Sequence, residues 1–134
     1  FAECAGGSRI LDIATGNGIV LTHAAAAGRQ LNRAFALTGP DLADIDPLRY
    51  LSSLEDDMRA ATFIGSVAAE RLPFEADSFD VVVSQYGLQY ADLEQAFHVV
   101  EVQAGGGFIH DVEDVCCRSV SKLGRNFQSL SLAA

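Results

Sequence analysis

A chain of 134 residues holds one domain with a core of its own and leaves little room for a separate substrate cap. Hydrophobic residues make up 49% and charged residues 20%, a globular composition, and the acidic excess gives a net charge of −9. Such a surface repels phosphate backbones and anionic lipid heads, which sets nucleic acid and membranes aside as partners.

Taken in order, the apolar run from Arg9 to Ala14 reads as a buried strand, and Gly18 to Ala27 as an alanine-rich helix closed by Gly28. Phe35 to Thr38 is a short second strand. Pro47 to Met58 is a helix with Asp46 as N-cap and Pro47 at the first helical position, its acidic stretch Glu55-Asp56-Asp57 a solvated end. Ala61 to Ile64 is a third strand. Phe79 to Gln85, with three consecutive valines, is apolar on both faces and suits the centre of a parallel sheet. Asp92 caps a helix to about Val102, three glycines (Gly105 to Gly107) punctuate, and Phe108 to Val112 is a fifth strand. Beyond it, Cys117 to Gly124 reads as a helix and Phe127 to Ala134 as a strand or a frayed tail. Strands alternating with helices imply right-handed crossovers in a doubly wound, Rossmann-like α/β fold, mostly parallel, with helices on both faces and truncated after the fifth strand.

The turn after the first strand, Thr15-Gly16-Asn17-Gly18, belongs to the kind that approaches a ligand closely. A nucleoside-triphosphate loop needs a lysine after its last glycine, and none follows until Lys122. A dinucleotide fingerprint needs a third glycine where Leu21 stands, so a nicotinamide-dependent oxidoreductase is disfavoured. Taken alone, the glycines also fit a plain strand-to-helix turn. Asp12 adds the chemical constraint. A carboxylate just ahead of the turn attracts a cation or accepts loop N–H groups, and it suits a ligand carrying an ammonium and a sulfonium, S-adenosylmethionine.

The stretch Asp12-Ile13-Ala14-Thr15-Gly16-Asn17-Gly18 resembles the first motif of the class I S-adenosylmethionine-dependent methyltransferases, with Ala14 in place of the usual first glycine. Alanine fits there if its backbone keeps φ < 0. The segment "AAERLPFEADSFDVVVSQYGLQY", Ala68 to Tyr90, resembles the part of the small-molecule methyltransferases that runs into the fourth strand, and "VEVQAGGGFIHDV" resembles the family's turn and fifth strand, with Gly105 where proline is usual. The resemblance covers Arg9 to Val112.

It implies one S-adenosylmethionine-binding domain over residues 1–134, with a core at about 9–112 and a tail from 113 to 134. It places Asp12, Ala14, Thr15, Gly16 and Gly18 around the cofactor. Asp41 becomes the ribose acceptor, with Asp44 and Asp46 as competitors, and Leu42 packs on the adenine. Ala68 stands where an aspartate often meets the adenine edge, and Ala69 offers its backbone N–H. Ser84, Gln85 and Tyr86 lie beside the methionine part. Pro73 and Phe74 fix a turn and plug the core. The implied activity is methyl transfer to a small organic acceptor, with no metal and with catalytic residues unassigned. The alternative is a truncated or degenerate non-catalytic nucleotide-binding module, which the departures at Ala14, Ala68 and Gly105 would fit. On the same resemblance, an open sheet edge favours self-association and weak turnover.

The remaining candidates have plainer readings. His23 and His98 are surface or core-edge side chains, while His110, at the end of a strand, faces the crevice of such a fold. Tyr86 and Tyr90 either shape an acceptor pocket or pack under helices. Three cysteines, two of them adjacent at Cys116 and Cys117, make neither a disulfide framework nor a zinc site. The chain starts at Phe1, shows no basic-then-apolar leader, and has no apolar run near the ~20 residues that span a bilayer, so a reduced cytoplasmic compartment is expected.

Overall fold

Arg9–Asp12 (β1) lies at the heart of a six-stranded sheet, and the side chains of Ile10 and Leu11 are wholly buried on its opposite faces. A computed structural model describes residues 1–50, 56–87, 90–92, 95, 108–112 and 115–119. Ala36–Pro40 (β2), Thr62–Ile64 (β3) and Val81–Gln85 (β4) join β1 in parallel, with Asp12 in register with Val83. Phe108–Val112 (β5) and Val115–Ser119 (β6) complete the order β3-β2-β1-β4-β6-β5, with β6 antiparallel to both neighbours. Among the described residues the sheet therefore holds a strand, β6, that the sequence pattern does not place. Cys117 to Ser119, expected in a helix, are ladder residues. The rest of the tail lies outside the described residues.

Both faces of the parallel part are covered. Ile10, Leu37, Val81 and Val83 pack with Val20, Leu21, Ala24 and Ala25 of the helix Ile19–Gln30 (α1) on one face. On the other, Leu11, Ile13, Phe79 and Val82 meet Leu72 and Phe74 from the segment before β4. Phe74 and Phe79 stand edge to face with ring centroids 4.9 Å apart, the arrangement that ring quadrupoles favour. The helix expected from Asp92 lies mostly outside the described residues, but Asp92 Oδ1 does accept the Gln95 N–H.

The first helix ends later than its glycine suggested. Gly28 lies inside α1, and it is glycine because a Cβ there would sit 2.6 Å from the Arg33 carbonyl and 3.3 Å from the Phe35 ring. The left-handed terminating residue is Asn32 (φ 52°). Its N–H reaches Arg29 O while the Arg33 N–H reaches Gly28 O, a Schellman closure. Of the expected helix 47–58, Pro47–Tyr50 (α2) and Asp56–Arg59 (α3) are described, and Met58 of α3 is buried in the first core cluster.

Candidate functional site

The parallel strands β1, β2 and β4 all deliver their C-terminal ends to one rim of the sheet, the place where open α/β folds bind ligands. At that rim the chain leaves β1 through a turn fixed by backbone bonds: Ile13 N–H to Val83 O, Thr15 N–H to Pro40 O, and Gly18 N–H to Thr15 O. Gly16 and Gly18 have positive φ (54° and 78°), and a Cβ on Gly18 would lie 2.9 Å from the Phe63 ring. Gly18 is therefore favoured by backbone and packing together, and Gly16 by its backbone alone, since nothing lies within 4 Å of a Cβ there.

Ala14 does not meet the condition set for it. Its φ is +57°, in the left-handed region, so the alanine sits in a conformation that costs an L-residue about 1–2 kcal/mol.

Asp12 is buried at the end of β1. Its Oδ2 accepts the Thr15 hydroxyl at 2.6 Å, while Oδ1 has no partner among the described residues. Burial pushes its carboxyl up to about 7; the Thr15 bond works against that rise, and the nearby Asp41 charge adds to it. Asp41, at the exit from β2, accepts the Gly16 N–H on Oδ2 at 2.7 Å and the Ala43 N–H on Oδ1 at 2.9 Å. Asp44 and Asp46, its competitors, do not line the cleft described next.

A cleft of ≈ 360 Å³ opens above this rim. Of the residues singled out from sequence, Ala14, Asp41, Leu42, Ala69 and Gln85 line it, and so do Tyr86 and Tyr90. Asp12, Thr15, Gly16 and Gly18 build the turn behind the wall. Ala68 flanks the wall without lining it. Ser84 is buried, and its hydroxyl donates to the Ile13 carbonyl at 2.7 Å, stitching β4 to the start of the turn. Sequence reasoning missed Val67, Glu70, Gly87 and Ala91 as lining residues. Glu70 Oε1 accepts the Asp92 N–H at 2.8 Å, a partnership 22 residues apart that no local pattern reveals.

The lining is acidic and apolar together. Asp41 and Glu70 are its charged members, and no lysine or arginine is among the described lining residues. Leu42, Tyr86 and Tyr90 line the cleft and are 71%, 57% and 86% exposed. His23 is exposed on α1 and stands apart from the cleft. His98 lies outside the described residues, and for His110 only the backbone, in β5, is described. Among the described residues no cluster of His, Cys, Asp or Glu could hold a metal ion, and no helix is long and apolar enough to cross a membrane.

The family model described as a methyltransferase domain matches residues 10–104, from β1 across the whole cleft. The chain belongs to that family. This methyltransferase domain is similar in structure to the YcgJ protein of Bacillus subtilis, with 27% identity, a TM-score of 0.58, and 76% of this chain aligned to 42% of that one. An S-adenosylmethionine-dependent methyltransferase from Mesorhizobium loti gives 25% identity and a TM-score of 0.59, covering 76% and 44% of the two chains. Phosphoethanolamine N-methyltransferase 2 of Haemonchus contortus, solved with S-adenosyl-L-methionine, shares the fold at 24% identity and a TM-score of 0.63, over 84% of this chain and 28% of that one. No curated protein matches the sequence significantly. The methyltransferase domain spans less than half the length of each of these structural neighbours. Family and fold make it a class I, S-adenosylmethionine-dependent methyltransferase domain.

Proposed function

We propose that this chain binds S-adenosylmethionine in the cleft at the ends of β1, β2 and β4 and presents its methyl group to a small organic acceptor. The observation that carries the reading is the placement of Asp41, which clasps the glycine turn and lines the cleft at once. The residues present fit the cofactor. The described charges lining the cleft, Asp41 and Glu70, are acidic, so the site attracts a cationic ligand, and Asp12 behind it has an oxygen with no partner among the described residues.

Asp41 accepts the ribose hydroxyls, because a carboxylate offers two oxygens in one plane with lone pairs beyond those used by Gly16 and Ala43. Leu42 flanks the adenine, Ala69 offers its backbone to the adenine edge, and Gln85 lies on the methionine side. When bound, the cofactor supplies an electrophilic methyl group on a sulfonium. The chain's own part is alignment and exclusion of water, to which the apolar surfaces of Tyr86, Tyr90 and Leu42 contribute. An acceptor that arrives unprotonated needs no general base. The acidic lining disfavours anionic acceptors, and the chain's charge of −9 disfavours nucleic acid. A soluble, reduced compartment suits a domain of this composition.

Calorimetric titration with S-adenosylhomocysteine tests the reading. Saturable binding near one equivalent is expected, and no heat at millimolar ligand would overturn it.

A further inference from the structure

Backbone strain in this chain gathers around the cleft. Five described residues other than glycine have positive φ: Ala14, Asn32, Ser66, Asp77 and Tyr86. Asn32 and Asp77 are types that tolerate the left-handed region in turns. The remaining three are not, and each lies in the cleft wall or, for Ser66, next to the lining residue Val67. Left-handed residues of unsuited type persist only where their surroundings over-determine them.

What surrounds Ala14 is visible in the packing. The ends of β1 and β4 are stitched at Ile13, whose N–H reaches Val83 O and whose carbonyl receives the Ser84 hydroxyl. Immediately beyond that stitch, Ala14 faces Gly87. A Cβ on Gly87 would lie 2.1 Å from the Ala14 Cβ, 3.4 Å from its Cα and 3.3 Å from Ser84 Oγ. The methyl group of Ala14 thus occupies the space a side chain at position 87 would need, and it does so rigidly, since an alanine Cβ cannot rotate away.

We propose that Ala14 and Gly87 form a size-matched stop between the turn after β1 and the turn after β4, which sets where Tyr86 stands on the cleft. Ala14 is on this view a positioning residue. Its methyl group fixes the separation of two walls, and Gly87 is glycine because Ala14 is not. The inference rests on the reading of the cleft as the cofactor site.

The test is a size swap, read by calorimetric titration with S-adenosylhomocysteine and by thermal unfolding. Gly87→Ala is expected to unfold cooperatively yet bind at least about tenfold more weakly than the parent, a loss that a purely structural contact would not produce without a matching loss of stability. The double variant Ala14→Gly/Gly87→Ala should recover to within about threefold of Ala14→Gly alone, the signature of direct coupling. Parent-like binding by Gly87→Ala, or a double variant no better than Gly87→Ala, overturns the proposal. Should Gly87→Ala fail to fold, the double variant decides: cooperative unfolding with binding supports the stop, and its absence refutes it. A parent that binds no S-adenosylhomocysteine refutes the cofactor reading itself, before any variant is measured.

Discussion

The carboxylate of Asp41 accepts the backbone N–H of Gly16 at 2.7 Å, joining two loops 25 residues apart at the mouth of the cleft. Its second oxygen takes the Ala43 N–H, so one side chain orders both the glycine turn and the exit from β2. Removing it does two things: it frees the turn and takes away the proposed ribose acceptor.

Asp41→Ala is therefore expected to weaken S-adenosylhomocysteine binding at least about tenfold, each hydrogen bond to a charged group being worth about 1.5–3 kcal/mol. Asp44→Ala should bind like the parent. Calorimetry on both variants checks the assignment, and the opposite ranking would move the ribose site to Asp44.

Stability should fall as pH rises from about 4 to about 7 on account of Asp12. Its folded carboxyl titrates near 7, above the unfolded value of 3.8, so within that window the unfolded state has released a proton that the native state keeps. The stabilising protonated form is complete below the unfolded value and lost on passing the folded one. Asp12→Asn should flatten the thermal midpoint over this window and raise it at pH 8, while weakening binding of a cationic ligand. A midpoint in the parent that rises steadily from pH 4 to 7 would contradict this.

The Arg9–Asp80 pair works in the opposite direction and more weakly. Arg9 donates its Nε and a terminal nitrogen to Asp80, and its backbone N–H to the same carboxylate, which holds the Asp80 carboxyl below its ordinary range chiefly through the side-chain bond. The pair is 48% and 44% exposed, so about 0.2–1 kcal/mol is the expected scale. That contribution is present above the unfolded carboxylate value and vanishes as pH falls through the lowered one. Asp80→Asn should cost little at pH 7 in high salt and slightly more in low salt, as chemical denaturation can show.

Gly16→Ala and Gly18→Ala should separate backbone strain from packing. Both positions have positive φ, but nothing lies within 4 Å of a Cβ on Gly16, whereas the Phe63 ring lies 2.9 Å from one on Gly18. Gly16→Ala should cost about 1 kcal/mol from the backbone alone, and Gly18→Ala about 2 kcal/mol or more. Equal losses in urea unfolding would show that Phe63 moves aside freely.

Much of the parallel half was legible in the sequence because its signals are local. The valines of β4, the apolar run of β1 and the Pro47 helix start each carry their own periodicity or terminal chemistry. The errors arose where distant groups decide. Gly28 looks like a helix end until the Arg33 carbonyl and the Phe35 ring are brought against it. Ala14 looks compatible with negative φ, yet just past the stitch between Ile13 and β4 its φ is +57°. Within the site, the lining residues near a glycine or at a strand end could be anticipated. Glu70 could not, because its partner is an amide brought close only by the tertiary fold. For β6, too, antiparallel insertion between β4 and β5 depends on pairing across the sheet and leaves no mark in local composition.

The Ser84–Ile13 hydrogen bond spans 71 residues, and β1 lies between β2 and β4 in the sheet. A ribosome must therefore release most of this domain before the cleft can exist: its floor is made early, its far wall late. A nascent chain that has formed only β1, α1 and β2 has the glycine turn but not the surface opposite, and closing so long a loop is slow. Once β4 docks, any ligand that fills the cleft binds only chains that have completed this step and stabilises them by mass action, about 2.7 kcal/mol at a hundred times its dissociation constant. Supply of the small molecule during synthesis would then govern how much of the protein survives proteolysis, independently of any turnover.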